Sequence, residues 1–217
     1  WSIIRVLFVN LKKSPDELKL RSSNIWYWPH GDFDRLKEEF LDDYNKPMPF
    51  FIAFSSAKDD TWKQRFPGKS NAIVLTLCNT EWFNEWKNDR CMHRSKEYNE
   101  LKEKFARRMF DEGLFKFYPQ CRNNVESYSI GTSLTNCFYL NSYCGEAYGL
   151  DSTQYRYSQA TELRPETEIE NLYLTGQDIC TLGFTGAMMG GVLTASSVLG
   201  YGTLMDIFTN RNLINDL

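Results

Sequence analysis

Residues 171–200, NLYLTGQDICTLGFTGAMMGGVLTASSVLG, decide how this chain is read. Leu172, Tyr173 and Leu174 carry an apolar strand signal. The chain then turns through Thr175, Gly176, Gln177 and Asp178 and enters a glycine- and alanine-rich run that ends in Val192, Leu193, Ala195, Val198 and Leu199. A strand, a turn with a carboxylate and a glycine-opened helix together bring backbone N–H groups up to a ligand, and the helix dipole favours an anion there. Two other readings stand beside this one. Residues 179–205 hold no Asp, Glu, Lys, Arg or His, long enough for a membrane span, and Gly186 and Gly190 have the spacing of packed membrane helices. Interspersed Gly, Thr and Ser lower the hydropathy of that run. Asp178 also fits an ordinary helix cap.

Composition narrows the function classes. A chain of 217 residues can bury one sizeable core or two coupled small ones. The net charge is −3 with acids and bases interleaved, which leaves no nucleic-acid footprint. Aromatic residues make up 15%, as core filler or as the lining of an apolar ligand tunnel. Six cysteines form no CxxC pair and only His30 and His93 are present, so metal-ligand spacing is absent. Reduced, mostly buried thiols are expected. The chain opens at Trp1 directly into a strand pattern, which suggests a piece of a longer polypeptide.

Working outward, strands are expected over residues 3–9, 25–28, 50–54 and 72–78, forming one mixed or antiparallel sheet. Ser14 and Glu17 form a capping box with Pro15 at the first helical position. Asp32 or Asp34 caps a helix with Phe33, Leu36, Phe40 and Leu41 on one face. Residues 58–70 read as loop and 81–87 as a short helix. Residues 95–117 give the longest helix, with Tyr98, Leu101, Phe105, Met109 and Phe110 at helical spacing and a solvated charged face. From Asn124 charges thin out and Gly, Ser, Thr and Tyr increase. Residues 125–130 read as a strand, and residues 162–170 as an acidic loop. The predicted organisation is a substrate-side sheet-and-helix region over 1–123, a ligand-facing region over 124–200 and a tail over 201–217.

Several blocks carry a family resemblance. Asn171-Leu-Tyr-Leu-Thr-Gly-Gln-Asp178, followed by Gly183-Phe-Thr-Gly-Ala187 and Gly190-Gly191, resembles the C-terminal flavin motif of the retinol saturase family. That family belongs with the carotenoid and retinoid oxidoreductases among the FAD-dependent two-dinucleotide-binding flavoproteins. Trp26-Tyr27-Trp28-Pro29-His30 is similar to its WYYPH-type segment. Ser55-Ser56-Ala57-Lys58-Asp59 with Trp62 and Arg65-Phe66-Pro67-Gly68 resembles its SAKD…W..RFPG stretch, and residues 81–86 its EWFEEW segment. Ser133-Leu134-Thr135-Asn136 with Phe138-Tyr139-Leu140 resembles its PLTN.FYL, with Ser133 in place of the family's usual Pro. Tyr148 and Gly149 match a following Tyr-Gly. The family's N-terminal GxGxxG fingerprint for the ADP half of FAD is absent from these residues.

The resemblance implies an α/β fold. It consists of an α+β substrate domain and the closing strand–helix of an FAD-binding Rossmann-type domain whose N-terminal half lies elsewhere. It implies a C-terminal portion of an enzyme that reduces the 13,14 double bond of all-trans-retinol to all-trans-13,14-dihydroretinol. The cofactor would be FAD, with NAD or NADP as electron source. Gly176, Gln177, Asp178, Gly183, Phe184, Thr185 and Gly186 would face the cofactor. Thr135, Asn136, Tyr139 and Tyr148 would lie toward the polyene, with Tyr139 and Tyr148 as candidate proton donors. Trp26, Trp28, Phe50 and Phe54 would wall the tunnel. Endoplasmic reticulum localisation and peripheral membrane contact are implied in the same way. The chain alone would not hold FAD tightly and would be inactive. A related polyene desaturase or isomerase, or a non-catalytic fragment that binds lipid or a partner protein, are the alternatives.

Overall fold

A computed structural model of the protein describes residues 4–159, 162–200 and 202–209. The chain divides into two compact units, Ser2–Ala147 and Tyr148–Leu217.

The first unit is built on β1 (Ile4–Leu11), β2 (Ile25–Tyr27), β3 (Phe50–Ala53), β4 (Ser70–Leu77) and β5 (Val125–Gly131). They form one sheet in the order β2-β3-β4-β1-β5, every pair antiparallel. The five strands read from the sequence for this unit are therefore present within a residue or two of their expected ends, and the sheet is antiparallel rather than mixed. Residue 3 lies outside the described residues. β5 pairs with β1 along Val6↔Gly131 to Asn10↔Ser127. The compositional change near residue 123 therefore falls inside this unit, because backbone pairing continues through it.

Alternation along β1 sends Arg5, Leu7, Val9 and Leu11 to the inner face. β4 adds Ala72 and Val74, and β3 adds Phe50 and Ile52. Helices cover this face. α1 (Phe33–Asp42) starts where the Asp32 side chain accepts from the Arg35 N–H, and it buries Leu36 and Phe40. α2 (Lys96–Arg108) is capped by Ser95 and buries Tyr98, Phe105 and Ala106. It runs on into a π-helical turn over Met109–Leu114, where Gly113 lies against the Phe50 ring. The pattern expected over 95–117 is thus one run with a bulged turn, not one regular helix. Ser14 and Glu17 make the reciprocal capping bonds, but the chain beyond them forms a turn closed by Lys19 at φ 50, not a helix. The stretch expected as loop over 58–70 holds a one-turn helix, Trp62–Arg65.

α3 (Ser133–Leu140) follows β5 directly. Thr132 and Thr135 make a capping box at its start: the Thr132 side chain accepts from the Thr135 N–H, and Thr135 Oγ1 from the Thr132 N–H. Ser133 is the first helical residue, where a proline is favourable.

The second unit contains α4 (Gln154–Ser158), α5 (Gly183–Leu199) and α6 (Gly202–Thr209). Residues 201 and 210–217 of the expected tail lie outside the described residues. The strand expected at Leu172 to Leu174 does not form. Tyr173 makes a single antiparallel bridge to Glu166, and Leu172 and Leu174 are exposed. A strand needs a neighbouring edge, and among the described residues of this unit there is only that bridge. The expected Rossmann-type strand–helix is therefore an extended segment, a one-turn 3-10 helix at Gln177–Ile179, and then α5.

Candidate functional site

The Gly176–Gly186 region is assembled by backbone contacts and a few polar side chains. Gly176 has φ 89 and Gly183 φ 82, conformations that L side chains rarely adopt. Gln177 Oε1 accepts from the Gly183 N–H at 2.9 Å, which fixes the start of α5. Asp178 Oδ1 accepts from the Leu150 N–H at 2.8 Å. A Cβ on Gly149 would collide with that same carboxylate, so the Tyr-Gly pair and the aspartate form one interlocked turn. Tyr148 lies beside Gly183.

The α5 glycines fall into two groups. Cβ atoms at Gly186 and Gly190 would run into the carbonyl oxygens of Thr181 and Gly176, so these two glycines let the helix lie directly on the preceding turn. Gly191 has open space around it. Gly186, expected to face a cofactor, is buried and lies against Thr181. Phe184 is 83% exposed and Thr185 is exposed beside it. Both residues fall in the first turn of α5, where an α-helix leaves backbone N–H groups without intrahelical acceptors.

Sequence reasoning missed Arg156. Its Nη1 donates to the Leu150 carbonyl at 2.8 Å, and its Nη2 to those of Gln177 and Asp178 at 2.7 and 3.1 Å. The residue is buried, and it ties the two turns together through three carbonyls. A lone arginine in Tyr-Arg-Tyr-Ser has no periodicity or motif that would single it out.

In the first unit, Thr135 and Tyr139 line a cleft of about 470 Å³ together with Phe8, Met92 and Ile130. Thr135 also serves the capping box, and Asn136 Nδ2 holds the Gly145 carbonyl at 2.9 Å. Asn136 therefore positions the Gly145 loop and is not one of the cleft-lining residues. The four aromatics expected to wall a tunnel are dispersed. Phe50 and Phe54 are core residues, Phe54 packing on Tyr118, whereas Trp26 is exposed on Phe51 and Trp28 meets Phe33 at a tilt. None of them lines this cleft. β3 has apolar residues on both faces, so its sequence cannot say which of them faces a ligand.

Of the six cysteines, all free, only Cys78 and Cys121 are buried; the other four are partly exposed. Burial pushes the Cys121 thiol up to about 11. Among the described residues, no helix is long and apolar enough to cross a membrane.

No family model matches the chain. Similarity to individual proteins is extensive. The chain is 36% identical to an all-trans-retinol 13,14-reductase of Homo sapiens over 97% of its own length and 34% of that protein's. For the Danio rerio protein of the same name the identity is also 36%, over 94% of this chain and 34% of the relative. A second Danio rerio protein, named an inactive all-trans-retinol 13,14-reductase, is 32% identical over 89% of the chain and 33% of its own length. By sequence, then, the chain is similar to proteins named all-trans-retinol 13,14-reductase along nearly its whole length, and it spans about a third of the length of these relatives.

Proposed function

We propose that this chain is the C-terminal portion of a flavin-dependent oxidoreductase that reduces the 13,14 double bond of all-trans-retinol to all-trans-13,14-dihydroretinol. FAD is the cofactor, NAD or NADP the electron source, and the remaining FAD-binding segment lies outside these residues. The enzyme works at the endoplasmic reticulum, in peripheral contact with the membrane that holds its apolar substrate.

One observation carries this reading beyond the relatives' names. The family-like blocks at Tyr148-Gly149 and at Gly176 to Gly186, far apart in sequence, are locked together through Asp178. The local chemistry fits a flavin nucleotide. The N–H groups at Phe184 and Thr185 suit phosphate or a flavin carbonyl, helped by the helix dipole. Asp178 Oδ2 is left to accept from a ribose or ribityl hydroxyl once Oδ1 holds Leu150. Gln177 and Arg156 keep the two turns in place, and Gly176 and Gly183 carry no side chain that would block an approach.

A bound flavin supplies the hydride chemistry. The chain's own residues orient and insulate. Thr135 and Tyr139 meet the apolar substrate at their cleft, Asn136 holds the adjoining loop, and Tyr148 stands by Gly183. The Tyr139 and Tyr148 hydroxyls each hold a proton that an apolar site can transfer.

The test uses the full-length protein. A flavin absorbance band, and all-trans-13,14-dihydroretinol as the product from retinol plus reductant, are expected. Asp178→Ala should lower flavin occupancy, and a full-length protein without flavin would overturn the reading. The relative named inactive favours a second reading, in which flavin binds but no polyene is reduced. Bound flavin with no product from any polyene would select it, and a different product would point to a related desaturase or isomerase.

A further inference from the structure

The cleft of the first unit stands out for its charge. Arg94 and Lys102 both lie over the Tyr98 ring, the guanidinium carbon at 5.0 Å and the ammonium nitrogen at 5.5 Å from its centroid. Both line the cleft, and no Asp or Glu is among its lining residues. Neither cation makes an ion pair among the described residues. Arg94 Nη1 reaches the Tyr98 hydroxyl at 3.4 Å, while its Nε is buried with no acceptor among the described residues. Burial lowers the Lys102 pKa; Glu103 opposes that shift and Arg94 adds to it.

Two like charges on one ring, partly out of water and with no ion-pair contact among the described residues, repel each other, and each loses hydration. A cation–π contact with Tyr98 offsets only part of that cost. An anion between them would offset much more, through charge-assisted hydrogen bonds. Apart from the uncharged polar Asn99, Ser129 and Thr135, the rest of the cleft is mainly apolar, with Phe8 from β1, Ile130 from β5, Met92, and Tyr139 from α3. Its volume, about 470 Å³, lies in the range of small-molecule pockets. Water or inorganic anions would satisfy the cations but would leave those walls wet.

We propose that this cleft binds an amphipathic carboxylate, its head between Arg94 and Lys102 and its acyl chain along Phe8, Met92, Ile130 and Tyr139. A long-chain fatty acid has this chemistry. The site does not rest on the flavin reading, because it uses no residue of the second unit. It shares Thr135 and Tyr139 with the expected substrate set, so a fatty acid would compete with any polyene that enters the same cleft.

The experiment is a titration of the full-length protein with laurate, dodecanol and acetate, followed by tryptophan fluorescence and calorimetry. Laurate should bind about tenfold or more tighter than dodecanol, and acetate should not bind measurably. The double substitution Arg94→Gln/Lys102→Gln should weaken laurate about tenfold and leave dodecanol unchanged. If that variant fails to fold, salt serves instead: raising it should weaken laurate and spare dodecanol in the unsubstituted protein. Equal affinity for laurate and dodecanol, wild-type laurate affinity in a folded double variant, salt-independent laurate binding, or acetate binding as well as laurate would each overturn the proposal.

Discussion

The two units are held together by different means. In Ser2–Ala147 the core is built of side chains: Leu7, Val9, Ile52, Val74, Phe83 and Phe105 are nearly or wholly buried beneath helices. In Tyr148–Leu217 the most buried positions include Gly186, Gly190, Ser196 and Arg156, while Leu172, Leu174, Phe184, Met188 and Leu199 stay exposed. One unit gains its stability from apolar area removed from water. The other is fastened by close backbone approach and by hydrogen bonds to carbonyls. A substitution should therefore fail for different reasons in each.

The largest effect is expected where a core ring is lost. Phe105 packs on Tyr44, Trp82 and Phe83 and carries the Arg5 guanidinium at 3.3 Å from its centroid. Phe105→Ala should cost about 3–5 kcal/mol in denaturant unfolding. It should also strand Arg5, which is fully buried on the inner face of β1, with Nε and Nη1 lacking acceptors among the described residues. Burial brings Arg5 down to about 10, with the nearby Cys78 opposing the shift. An unchanged denaturation midpoint would mean that the aromatic cluster is not what stabilises the first unit.

In the second unit, Gly190→Ala removes nothing and adds one methyl group against the Gly176 carbonyl. A destabilisation of about 1–3 kcal/mol is expected. It should appear as faster hydrogen exchange in α5, with β1 and β4 protected as before. Gly191→Ala, which meets open space, is the control and should leave exchange unchanged or slower. Equal behaviour of the two variants would break the contrast between the units.

Ser133→Pro tests the departure from the family pattern. Thr132 is extended at ψ 178, which suits the residue before a proline, and the Ser133 hydroxyl is buried without a partner among the described residues. Stabilisation of about 0.4–1 kcal/mol is expected in thermal unfolding. A lower Tm would show that this turn needs the serine.

The smallest effect is a pH slope. Burial opposes ionisation of Glu146, but hydrogen bonds from its own N–H and from those of Cys144 and Tyr143 hold its carboxyl below the usual range. A depressed folded pKa contributes stability above the unfolded value of about 4.3 and loses it as pH falls through the folded value. Unfolding curves of wild type and Glu146→Gln should therefore differ at neutral pH and converge in acid. A constant difference across that range would remove the carboxylate from the account.

The same contrast governs what could be read from the amino acids. The five strands, the capped start of α1 and the helical run of α2 follow from alternation or apolar runs, a cap residue and helical spacing, and these signals are local. Arg5 defeats that reading, because parity along β1 places a charge on the inner face where charge alone would place it outside. In the second unit Leu172, Tyr173 and Leu174 have strand character but no partner edge beyond one bridge, and pairing is not a local property. Asp178 could be singled out by its place before a helix, yet its contact with Leu150 and Gly149 depends on a loop many residues away. Arg156 and the Arg94–Lys102 pair left no trace, since isolated cations look alike until folding brings them together.

The contacts of Gly186 and Gly190 with the preceding turn also limit changes in chain length. The two residues are four apart, so they share one edge of α5, and each rests on a different carbonyl of the turn. An insertion or deletion between them would rotate one contact by about 100° away from its carbonyl. Phe184 and Thr185 would swing with the helix start. Residues on the outer side of α5 can vary in kind, but the count between these two glycines cannot.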